Sequence, residues 1–160
     1  MSVSQPVASD HQLARLLQIG MVLEEVVEAR AHQHYRSVGA EIDAEIETLL
    51  EHAAEESADH RDRLAALIDD LDAEAIPFEQ IEPLVADHYD RERDTDGVLY
   101  DQLCNEETAY KFYDDLIAAI DASSATFGID REQLVETLST IREEEADGAE
   151  EVTRLMEARE

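Results

Sequence analysis

Residues 105–116 read NEETAYKFYDDL. At about 100° per residue, the apolar positions in and around this stretch (Leu99, Leu103, Tyr110, Tyr113 and Ile117) fall on one face of a helix. Glu106 points into the middle of that face. A chain with many water-facing positions has aimed a carboxylate at its own core, and the rest of the sequence explains why.

Read outward from this stretch, the periodicity predicts four long amphipathic helices at roughly 9–37, 40–71, 97–122 and 130–158, with no strand pattern. Gly39, Gly97 and Gly128 fall at the boundaries, and no proline interrupts a long helical stretch. The first and last connections are short. The middle one, 72–96, is long enough to run the length of a bundle, and IPFEQIEPLVADHY (76–89) within it reads as a short extra helix. Short, long, short connections describe an all-α four-helix bundle of two antiparallel hairpins joined by a long crossover, the ferritin-like arrangement. The expected organisation is one domain over 1–160, with 1–8 a flexible N-terminus. The two halves echo each other. LEEVVEA (23–29) parallels NEETAYK (105–111), and EESADHRDRL (55–64) parallels EEEADGAEEV (143–152).

Each helix carries its own version of Glu106. In helix 1 the stripe is Leu13, Leu16, Gly20, Leu23, Val27 and Ala31; Glu24 lies near it, Glu28 somewhat further, and Glu25 nearly opposite. In helix 2 the stripe is Ile42, Ile46, Leu49, Ala53, Leu64 and Leu71, with Ser57 and His60 on it, Glu56 at its edge and Asp59 facing away. In helix 4 it is Leu134, Leu138, Ile141, Val152 and Leu155; Glu145 and Gly148 sit at its centre, Glu144 to one side and Asp147 outside. Burying one unpaired carboxylate costs several kcal/mol, and four together repel one another. Protonation relieves this, and so do cations between the carboxylates. Two iron or manganese ions held by carboxylates and one or two histidines are the familiar solution in a helix bundle.

This arrangement resembles the ferritin-like superfamily, and rubrerythrins in particular. Glu106-x-x-Ala109-x-x-x-Tyr113 is similar to the third-helix pattern of that family, and Glu28-x-x-Ala31-x-x-x-Tyr35 repeats it in helix 1. The resemblance spans about residues 9–158. It implies a glutamate from helices 1 and 3 and a Glu-x-x-His motif, or a relative, from helices 2 and 4. The expected metal ligands are therefore Glu24, Glu56, His60, Glu106 and Glu145, with Glu28 the alternative in helix 1. Two departures stand out. Aligning His60 with the family histidine puts Ser57 where a glutamate belongs, so Glu56 would substitute as an i, i+4 partner. Gly148 occupies the usual histidine position of helix 4. A second phase pairs Glu56 with Asp59 and Glu144 with Asp147, but directs both aspartates outward.

Composition narrows the partners. The chain holds 41 Asp plus Glu against 12 Lys plus Arg, a net charge of −29, and its one lysine, Lys111, stands beside eleven arginines. Such acidity with so little lysine resembles proteins of salt-loving archaea, in which concentrated salt screens self-repulsion. A hydrophobic content of 44% at helical spacing opposes the disordered reading of so much charge. Nucleic acid is excluded as a partner by the lack of basic patches. No apolar run approaches the ~18 residues of a membrane helix, and MSVSQPVASDHQ (1–12) has no signal-peptide pattern, so a cytoplasmic location is expected. A lone cysteine, Cys104, excludes an internal disulfide and is read as a small buried residue. His11, His32, His34, His52 and His88 are read as surface residues, and Tyr110 and Tyr113 as core aromatics.

The resemblance implies an oxidoreductase that reduces peroxide or oxidises ferrous iron. Peroxide or oxygen would be the small oxidant, an external donor would supply electrons, and the assembly would be a homodimer. The alternatives are a non-catalytic helical bundle with a vestigial site, acting in association or stress, and a metal sensor.

Overall fold

A computed structural model of the chain describes residues 5–38, 44–77, 79–81 and 98–159, with 32–38 described in their backbone. Among these residues the fold is all-α. Its four long helices are α1 (Asp10–Val38), α2 (Ala44–Asp69), α3 (Val98–Asp121) and α4 (Arg131–Ala158). Their ends agree with the periodicity to within a few residues. The extra helix expected over 76–89 lies mostly outside the described residues, although 79–81 form a helical turn.

Local chemistry fixes the helix starts. The Ser9 hydroxyl accepts the Gln12 N–H at the start of α1, and the Asp130 carboxylate accepts the Gln133 N–H at the start of α4. Each satisfies an amide that the helix itself leaves unpaired. Asp10 does more: its carboxylate accepts the N–H groups of Asp72 (2.9 Å) and Gly128 (3.0 Å). A Cβ at position 128 would come within 2.7 Å of that carboxylate, so only glycine allows this approach. Asp10 thus ties the start of α1, the end of α2 and the α3–α4 turn together.

The directions of the helices follow. The Val7 N–H donates to Ala119 near the end of α3, so α3 ends where α1 begins and the two run antiparallel. At the opposite end Arg30 of α1 pairs with Asp101 of α3 (2.9 Å), and Arg159 after α4 faces Glu45 of α2. The order is up, down, down, up, so residues 70–97 join opposite ends of the bundle. α1 packs most closely on α2 and α3 on α4, with α1–α3 and α2–α4 as the other contacts. Val7, within the stretch expected to be flexible, is fully buried, and its carbonyl accepts the Ser123 hydroxyl.

The core is uneven along the bundle. Toward the Asp10 end, fully buried leucines and isoleucines (Leu13, Leu17, Leu64, Leu116, Ile120, Leu138) interdigitate, each worth about 1.5–3 kcal/mol of burial. Toward the other end the described apolar cluster shrinks to Ala31, Leu50 and Ala54, with Ile46 and Val98 against it. Between the two lies a polar layer.

Candidate metal centre

Helix phase alone carries five polar side chains into this layer. Glu24 and His60 are fully buried, and Glu145 (3% exposed) and Glu106 (5%) nearly so; Glu56 is half-buried at its edge. Glu24, His60 and Glu145 bring ligand atoms within 4.8 Å of one another, and so do Glu56, Glu106 and Glu145. Glu145 belongs to both groups, and either is able to hold a metal ion.

His60 organises the first group. Its Nδ1 lies 3.2 Å from Glu24 Oε1 and 3.1 Å from Glu145 Oε1, and its Nε2 lies 3.0 Å from Glu144 Oε2. Arg63 holds Glu144 in turn, at 3.2 Å. The Tyr113 hydroxyl donates to Glu24 Oε1 at 2.6 Å, and Gln102 Nε2 donates to Glu106 Oε1 at 3.0 Å. The other oxygens of Glu24 and Glu106 are buried and have no hydrogen-bond partner among the described residues.

The crowding displaces proton equilibria. Burial pushes the Glu56 carboxyl up to about 7, with the charges of Glu106, Glu144 and Glu24 adding to it and that of His60 opposing. Burial disfavours the His60 imidazolium, but its hydrogen bonds to Glu24 and Glu144 and the nearby negative charges outweigh that and raise it to about 9. Glu145 is pushed well above the usual carboxylate range by burial and then by Glu24 and Glu106, and burial raises Glu106 as well. The crowding therefore favours the protonated forms of Glu56, Glu106, Glu145 and His60.

These residues fit a pair of divalent cations. Four clustered carboxylates (Glu24, Glu56, Glu106, Glu145) match the charge of two such ions, the unpartnered oxygens of Glu24 and Glu106 come from the neighbouring helices α1 and α3, and oxygen with one imidazole is an iron or manganese donor set.

No family model, curated protein or solved structure matches the chain.

All five expected ligand positions come together. Glu28, the alternative in helix 1, instead pairs with Arg61. Asp59 pairs with Arg63 at 2.7 Å on the outside and Asp147 is exposed, so the second phase brings neither aspartate inward. Gly148 has a local cause: a Cβ there would lie 2.7 Å from Glu106 Cδ and 2.8 Å from both its oxygens. The space beside position 148 holds the Glu106 carboxylate.

Two expectations need correction. Tyr110 is 37% exposed and not a core aromatic, because the buried face of α3 runs through Gln102, Asn105, Ala109, Phe112 and Leu116, rotated from the stripe read through Leu103 and Tyr110. Cys104 is half-buried. Glu144 is half-buried to one side, as read, and from there it touches His60. His11 and His52 are exposed as expected, although His52 approaches Glu56 at 3.4 Å; the side chains of His32, His34 and His88 lie outside the described residues. Sequence reasoning missed the Gln102–Glu106 contact, whose i, i+4 spacing was the available signal. No described helix is long and apolar enough to cross a membrane.

Proposed function

We propose that this chain is a ferritin-like, rubrerythrin-type carboxylate protein that holds two iron or manganese ions and uses them in peroxide reduction or ferrous iron oxidation. The observation carrying this reading is that two groups of potential ligands, Glu24–His60–Glu145 and Glu56–Glu106–Glu145, meet in one buried layer and share Glu145, so that these residues would hold two ions side by side. The up-down-down-up helix order, with a long connection between α2 and α3, supports the family reading.

Bound there, two ferrous ions supply two electrons, enough with two protons to take one hydrogen peroxide to two waters, and an external donor restores them. The chain's own residues set the conditions. Glu144 accepts the Nε2–H of His60, which leaves Nδ1 facing Glu24 and Glu145 as the ligand atom; holding a cation there requires His60 to release its Nδ1 proton. Tyr113 fixes one oxygen of Glu24 and leaves the other free to bind. Gln102 does the same for Glu106. The leucine and isoleucine core below the layer excludes water and strengthens these contacts.

The test is to mix ferrous-loaded protein with hydrogen peroxide and follow ferric absorbance in a stopped flow. Oxidation much faster than that of free ferrous ion, and lost in Glu145→Gln, supports the reading; a rate equal to free iron refutes it.

A non-catalytic bundle is the second reading, favoured by Ser57 and Gly148 and by the pairing of His60 with Glu24 and Glu145, which offsets part of the buried charge without metal. Protein purified with metals available, yet free of them and thermally stable, would support it.

A further inference from the structure

Unpartnered polar atoms cluster in one place. Among the described residues, those buried without a hydrogen bond are Glu24 Oε2, Glu106 Oε2, Gln102 Oε1 and both polar atoms of Asn105. Three of these four residues occupy adjacent positions on the buried face of α3, and Gln102 and Asn105 are both fully buried. Cations satisfy the two carboxylate oxygens. They do not satisfy Asn105 Nδ2, which is a donor, and no negative partner is required by Gln102 Oε1. A buried amide left unpaired destabilises the fold, so these groups on α3 call for a partner beside the centre.

The inventory defines the ligand. One amide NH2 donates and two amide carbonyls accept, and on a helix residues 102 and 105 are neighbours about 5–6 Å apart at Cβ, so their unpaired groups lie side by side. A cation offers no acceptor for Asn105 Nδ2, and an anion would face Glu106, already bonded to Gln102 at 3.0 Å. A neutral molecule with two O–H donors and free lone pairs matches every group. We propose that Gln102 and Asn105 form a subsite for a single small hydroxylic molecule, the class of water and hydrogen peroxide, next to the carboxylate centre. Its relevance to peroxide rests on the function proposed above; the subsite itself does not require metal.

The test uses the full-length chain treated with chelator and labelled with ¹⁵N. ROESY spectra, which separate through-space contact from proton exchange by sign, are expected to give cross-peaks from long-lived water to the Asn105 side-chain NH2, lost in Gln102→Leu. Asn105 NH2 cross-peaks to protein protons alone, with none to water, would overturn the proposal. Titration with hydrogen peroxide separates the two sources: saturable shifts of the Asn105 and Gln102 amide signals mark peroxide as a ligand, and unmoved signals mark water as the occupant. Because the protein is metal-free throughout, water contacts in a chain that binds no iron would uphold the subsite while the proposed function fell.

Discussion

Gly148 of α4 and the Glu106 carboxylate of α3 are in mutual contact, and no side chain at 148 leaves that carboxylate where it is. The atoms a Cβ would meet are the far end of a flexible side chain, so Gly148→Ala displaces Glu106 and not the helix. Alanine also favours a helix interior by about 0.8–1 kcal/mol over glycine. Chelator-treated Gly148→Ala is therefore expected to melt at or above the wild-type temperature while binding metal at least tenfold more weakly. Paired melts and metal titrations check this; unchanged affinity would mean Glu106 is no ligand.

Stability of the metal-free protein is expected to fall as pH rises. Glu56 is raised to about 7 in the folded chain, so the native state holds more protons than the unfolded one above the ordinary carboxylate range, and that stabilisation is lost on passing through about 7. His60, raised to about 9, acts in the same direction, its contribution complete below its unfolded value of about 6.5 and lost toward 9. Bound cations replace those protons. The gap in melting temperature between loaded and chelated protein should therefore widen from pH 5 to pH 8; a gap that narrows would contradict the account.

Much of this is legible in the sequence. Helical phase alone directs Glu24, His60, Glu106 and Glu145 inward, because a 3.6-residue period fixes direction from spacing. Phase on α3 was misjudged because Tyr110 and Leu103 pull an apolar stripe toward themselves, while the buried face includes Gln102 and Asn105, which look like surface residues in a sequence. Cross-helix partners were hidden for another reason. The contacts of Tyr113 with Glu24 and of Glu144 with His60 depend on helix rotation and spacing, which no single helix encodes. Gly148 looked like a lost histidine; it is the space that Glu106 fills.

Tyr113→Phe removes the hydroxyl that donates to Glu24 at 2.6 Å and leaves that buried carboxylate dependent on His60. A buried hydrogen bond to a charged group contributes about 1.5–3 kcal/mol. Urea unfolding of chelated protein should show a loss of that order, and a smaller one once metal holds Glu24. Equal losses in both states would mean that Glu24 does not bind metal.

Net charge of −29 should make the fold salt-dependent. Charges repel one another over about 3 Å at 1 M salt but over about 10 Å at 0.1 M. Thermal melts taken from molar salt down to 0.1 M are expected to fall steadily, and a flat profile would remove salt adaptation as the reason for the acidity.

Counting iron and manganese per chain in wild type and Glu106→Gln tests the central claim most directly. Glutamine keeps the shape of Glu106 and removes its charge. Two ions per wild-type chain, falling sharply in the variant, are the predicted result. A metal-free wild type, together with a Glu106→Gln variant whose melting temperature rises equally with and without chelator, would contradict the metal centre.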